Sequence, residues 1–152
     1  MKYKQLAKAL EKSNLFIPEK LLAVMDDAKL TPVFELDEKG FLLADVVYTG
    51  LFEIEQLAAE PFTIFALIML WLNEHDEDRD DHEELQNISW DITTEDDGQV
   101  TLALGIVFKE AIYLTESDNG EFNIDGIRYN LGEGQAGIAE KMGLSASVLA
   151  HG

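Results

Sequence analysis

Residues 88–108 read Ile88-Ser-Trp-Asp-Ile-Thr-Thr-Glu-Asp-Asp-Gly-Gln-Val-Thr-Leu-Ala-Leu-Gly-Ile-Val-Phe108, and this stretch decides the fold. Ile88, Trp90 and Ile92 alternate with Ser89, Asp91 and Thr93, the period-two pattern of a strand with one face buried. Asp96-Asp97-Gly98 then supplies a tight turn, because Asp-Gly accepts the positive φ that hairpins need. The return arm places Val100, Leu102, Leu104, Ile106 and Phe108 on one face, and apolar character runs on through Ile112, Tyr113 and Leu114. A second turn signal, Asp118-Asn119-Gly120, precedes Phe122, Ile124, Ile127 and Tyr129. Three consecutive antiparallel strands are therefore expected.

Upstream, Phe62 to Leu72 holds a single polar residue, Thr63, after a proline at position 61 suited to a first helical turn. The run falls far short of the roughly 20 residues of a bilayer crossing, so it reads as a helix apolar all round that must be covered on most sides. Its stripe Ile64, Leu67, Ile68 and Trp71 is expected to face the sheet and to meet Trp90, Ile92, Leu102 and Leu104. Further upstream, Phe34 and Leu36 alternate with Glu35 and Asp37, Asp37-Glu38-Lys39-Gly40 turns the chain, and Phe41 to Glu55 forms a long second arm with a bend or bulge at Gly50. Tyr3, Leu6, Ala7 and Leu10 make the stripe of an amphipathic first helix ending near Ser13-Asn14. Pro18 is read as opening a second helix to about Ala28, with Leu21, Leu22, Val24 and Met25 inward. The fold class is thus α+β: an antiparallel sheet packed against a central apolar helix, with N-terminal helices. Residues 1–130 are expected to form one domain, followed by a small-residue tail, 131–152, with a short helix around Ile138 to Met142.

With 152 residues, 30 acids against 11 basic side chains and a net charge of -19, the chain does not suit binding to nucleic-acid phosphates, which draws its affinity from lysines and arginines. It has no cysteine, which removes disulfides, thiolate nucleophiles and cysteine-ligated metals and makes the cytosol the natural compartment. Met1 to Leu10, with its spaced lysines, is not expected to act as a secretory signal. The charge is segregated. Residues 1–30 hold six lysines and four acids, for +2, and leave -21 on the other 122 residues, with twelve acids and one arginine between Glu74 and Asp97. Most such runs are solvated faces; the sharper reading is that a basic end meets an acidic region of another copy, head to tail.

The candidate sites for chemistry each lack an essential residue or frame. His75 and His82 flank Asp76 to Asp81, and the alternation Asp76, Asp78, Asp80 imitates an EF-hand start, but Asp81 stands where glycine is needed and Asn87 where a bidentate glutamate is needed. Gly132-Glu133-Gly134-Gln135-Ala136-Gly137 has glycine spacing like a phosphate loop without a βαβ frame, and Glu133 opposes a phosphate. No serine stands in a nucleophile elbow, His151 has nothing to hold it, and Trp71 and Trp90 read as core anchors. No catalytic, cofactor-binding or metal residue is assigned, and no cofactor is expected.

Several strings in order carry a resemblance over about residues 1–129: Leu6-Ala7-Lys8-Ala9-Leu10, Leu70-Trp71-Leu72-Asn73-Glu74-His75, Asp91-Ile92, Val100-Thr101-Leu102-Ala103-Leu104, and Phe108-Lys109-Glu110. The chain resembles the R-type tail completion proteins of P2-like bacteriophages, themselves similar in architecture to tail terminators. It departs from them at Phe108-Lys109, where members tend to read Leu-Thr, and at Leu67, where the apolar helix usually has a proline. The resemblance implies a non-enzymatic structural protein that caps the tail tube and supports head-tail joining. It also implies a homo-oligomeric ring, contacts with tail tube and connector proteins but not with nucleic acid or membrane, and a path from host cytoplasm to virion tail. Two other readings compete: an acidic DNA mimic that inhibits a nucleic-acid-binding protein, which calls for carboxylates in two rows at phosphate-like spacing, and a hydrolase built on the histidine and carboxylate cluster.

Overall fold

Trp90 pairs with Leu104, Ile92 with Leu102 and Thr94 with Val100 across the hairpin of the quoted stretch, in antiparallel register. These strands belong to a computed structural model that describes residues 1–76, 79, 82, 85 and 88–132. In order, the elements are α1 (Lys2–Glu11), a single 3-10 turn (Pro18–Lys20), β1 (Leu21–Asp37), β2 (Gly40–Leu57), α2 (Pro61–His75), β3 (Ile88–Thr94), β4 (Val100–Glu116), β5 (Phe122–Ile124) and β6 (Ile127–Leu131). The sheet runs β1-β2-β4-β6-β5, with β3 also paired to β4. The class is α+β and mostly antiparallel sheet, as the hairpin signals predict. Tail residues 133–152, including the helix expected around Ile138 to Met142, lie outside the described residues.

The helix expected from Pro18 to Ala28 does not form. Pro18 does occupy a first-turn position, but of three residues only, and the chain enters β1 at Leu21. A short apolar run such as Leu21-Leu22-Ala23-Val24-Met25 carries no decisive period, and here pairing with β2 selects the strand. Leu21, Ala23 and Met25 are half-buried while Leu22 and Val24 are exposed. Positive φ values at Asp27 and Phe34 interrupt the alternation of β1, and Phe34 and Leu36 lie in solvent.

The chain divides into two compact units that share the long strands. The first comprises Lys2–Ala28 and Val47–Lys109. Its core takes Leu6 and Leu10 from α1, Tyr48, Phe52 and Ile54 from β2, Ile64, Ile68 and Leu72 from α2, and Leu102, Leu104, Ile106 and Phe108 from β4. Tyr48 is the aromatic hinge of this core, edge-on to Tyr3 at 5.7 Å and tilted against Phe108 at 5.6 Å. Gly50 is not a bend: β2 continues through it, and a Cβ there would lie 3.1 Å from Tyr3 Cβ, Phe52 Cε2 and Phe108 Cε2. Its missing side chain is what lets α1 approach the strand.

The buried stripe of α2 differs from the expected one. Ile64 and Ile68 are buried, but Leu67 and Trp71 are only half-buried, and Leu72 completes the stripe at i, i+4 and i+8. α1 packs against this helix. The observed link from α2 to β3 is Phe65, whose ring meets Trp90 edge-on at 4.9 Å. Ile92, expected inside, is 42% exposed, so the buried part of this hairpin face is carried by its partner Leu102 on β4.

The second unit comprises Met1, Lys29–Val46 and the chain from Glu110. Short-range hydrogen bonds close its turns. Asp37 Oδ1 accepts from Lys39 N at 2.8 Å, and its other oxygen accepts from Tyr113 Oη at 2.8 Å. Ser117 O accepts from Gly120 N, where a Cβ would strike the Tyr129 backbone at 2.4 Å. Ile124 pairs with Ile127 across Asp125-Gly126, both with positive φ, which is the two-residue hairpin turn that divides what the sequence suggested was one strand.

Candidate functional site

The basic first helix and the acidic stretch that follows α2 meet inside one chain. Lys2 Nζ donates to Asp76 Oδ1 at 2.5 Å and to Lys109 O at 3.0 Å. Arg79 Nη1 donates to Asp76 Oδ2 at 3.1 Å and to Val107 O at 2.7 Å, with the guanidinium 5.6 Å from the Phe108 ring centroid. The Asp76 side chain is 1% exposed, that of Arg79 9% and that of Lys2 26%. One carboxylate thus binds two cations from different parts of the sequence where α2 ends. The spacing in sequence, 74 residues between Lys2 and Asp76, gave no sign of this. Intermolecular pairing of Lys2 with the acidic region is therefore set aside, and Asp76 is structural.

Among other residues singled out in the sequence, His75 is exposed and its ring lies 4.9 Å from Trp71, while His82 is half-buried. Among the described residues no group of three or more histidines and carboxylates is placed to hold a metal. Asp78, Asp80, Asp81, Asn87 and the glycines at 134 and 137 lie outside them. Among the described residues, Asp37 and Tyr113 shift each other's titration. The phenol's hydrogen bond holds the carboxyl below its usual range, and the same bond raises the phenol.

What α2 does present is apolar surface. Opposite Ile64, Ile68 and Leu72, the side chains of Phe62, Ala66, Met69 and Leu70 point to solvent, with Phe62 71% and Leu70 68% exposed. Helical geometry puts these four on one face, since positions three, four, seven and eight apart fall together. A run of apolar side chains left uncovered is a surface open to contact.

Buried charge here fastens α1 to the end of α2, while one face of α2 stays open to contact. Comparison with known proteins gives the family. Residues 1–133 match the P2 phage tail completion protein R (GpR) family, and the chain belongs to it. It is also 32% identical over 111 residues to an uncharacterized 19.2 kDa protein encoded in the rep-hol intergenic region of Haemophilus phage HP1 (strain HP1c1). That alignment covers 71% of this chain and 66% of the relative, just under two thirds of its length. No solved structure matches. The chain is accordingly a member, by family, of the bacteriophage tail completion proteins, which are structural proteins.

Proposed function

We propose that this protein caps the finished tail tube as a homo-oligomeric ring and helps form the surface to which the filled head attaches, without catalysing a reaction. The observation that carries the proposal is the open apolar face of α2 in a member of the tail completion family. A monomer in isolation leaves that face in water; a ring seated on a tube covers it. Residues 1–130 act as the completing module, with 131–152 as its tail, and assembly takes place in the host cytoplasm before the protein joins the virion. Tail tube and connector proteins are the contacts above and below the ring, and neither nucleic acid nor membrane is engaged directly. Phage lacking the gene should accumulate filled heads and separate tails in electron micrographs, and supplying the chain in trans should restore joined particles. Joined, infectious particles formed at parental yield without it would refute the proposal.

A further inference from the structure

The first unit carries a second uncovered apolar surface, on the other side of the sheet from α2. The even positions of β2 from Tyr48 to Ile54 turn into the core, so the odd ones turn away. Likewise Trp90 pairs with Leu104 on the core side, where Phe65 of α2 meets it, whereas Ser89 pairs with Gly105 on the far side. On that far side Leu22, Val24, Leu51, Ala103 and Gly105 line a groove of about 350 Å³. Its floor is low because Gly105 has no side chain; a Cβ there would sit 2.5 Å from Ser89 Oγ. Glu53 and Asp91 stand at its edge.

We propose that this groove receives the outward face of α2 from a second copy of the chain, so that successive copies join head to tail around the ring. The dimensions agree. The groove crosses β1, β2, β4 and β3, three strand spacings or about 14 Å. Phe62 to Leu70 of α2 is eight helical steps, about 12 Å. Charge agrees as well: Lys4 lies on α1, which packs against α2, and the carboxylates Glu53 and Asp91 line the groove. In a chain with 30 acids and 11 basic side chains, apolar knobs beside lysines are what another copy offers and what an acidic-edged groove selects. A chain cannot fill its own groove, since knob and groove lie on opposite sides of one sheet. The contact is therefore heterologous and generates a closed ring when the rotation closes. This interface rests on the ring proposed above and assigns its two halves.

Because the chain has no cysteine, a pair can be introduced cleanly. Tails assembled with a Phe62→Cys, Val24→Cys double variant, treated with a short bismaleimide, should give a ladder of cross-linked multimers on denaturing gels. Either single variant should stay monomeric. Cross-linked dimers from Phe62→Cys alone would mean that α2 meets α2, and an uncross-linked double variant present in the tails would mean that the groove is not the socket; each overturns the interface while leaving tail completion standing. Absence of the parent chain from finished tails would overturn both. As a second readout, Leu70→Glu and Leu51→Lys, at exposed positions, should each lower incorporation into tails by roughly tenfold or more, and the two together in one chain should recover it. Unchanged incorporation of both single variants would also overturn the interface.

Discussion

Replacing Asp76 by asparagine keeps the side-chain volume and removes one charge, which makes it the sharpest probe of how α1 is fastened to the end of α2. In the native chain the carboxylate, 1% exposed, accepts from Lys2 and Arg79. Lys2, 26% exposed, can turn its ammonium to water when the carboxylate is lost. Arg79 cannot: its side chain is 9% exposed, and among the described residues Nη2 has no hydrogen-bond partner. The cost is therefore that of stranding one buried cation, about 3 to 5 kcal/mol. Against a total stability of about 5 to 15 kcal/mol for a domain, that is a large share. Lys2→Met keeps the Asp76 to Arg79 pair and should cost less, about 1.5 to 3 kcal/mol for one charge-assisted hydrogen bond. Urea unfolding followed by circular dichroism at low and high salt measures both, and burial predicts that the Asp76→Asn loss persists in salt. A loss under about 1 kcal/mol, or one that vanishes in salt, would refute the reasoning.

Ile68→Ala, at a position 1% exposed on α2, should destabilise by about 2 to 5 kcal/mol, and an unchanged denaturant midpoint would contradict its burial. Gly50→Ala should cost about 1 to 3 kcal/mol, since the added methyl meets three carbons at 3.1 Å; an equal or higher midpoint would show that α1 can retreat. The Asp37 carboxyl is held low mainly by the Tyr113 hydroxyl, so its contribution to stability is present above the unfolded carboxylate value of about 3.9 and is lost as pH falls through the lower folded value. In an NMR titration Tyr113→Phe should move Asp37 up toward that ordinary value, and an unmoved curve would deny the hydrogen bond its role. The Tyr113 phenol, raised by the same bond, should titrate above about 10 in the parent and drop toward that value in Asp37→Asn.

Where local period and turn chemistry agreed, the sequence was readable. The β3–β4 hairpin follows from strict alternation closed by Asp97-Gly98, and α1 ends as its stripe suggested, with Ser13 Oγ donating to Leu10 O and Asn14 in the left-handed region. Residues 21–28 misled because four large apolar side chains in the run 21–25 satisfy both periods, and the proline before them is equally at home in a single 3-10 turn. Asp125-Gly126 was a legible hairpin signal, hidden by the apolar residues on both sides. The extent of the apolar face on α2 could be anticipated from a helix without a polar side, but which arc stays open depends on α1, and that is tertiary information. The Asp76 node joins the i,i+3 pair Asp76 and Arg79 to Lys2 and to the Val107 carbonyl, and no spacing rule encodes those two long-range links.

The most direct test of the central claim, that this is a structural protein seated on the completed tail, is its location in the particle. Asp96 sits in the exposed β3–β4 turn of a chain without cysteine, so an Asp96→Cys variant accepts a single maleimide-linked gold label per copy. In electron micrographs of tails assembled with it, the label should cluster at the head-proximal end of the tube. Label spread along the tube, confined to the distal end, or absent from tails would contradict the account.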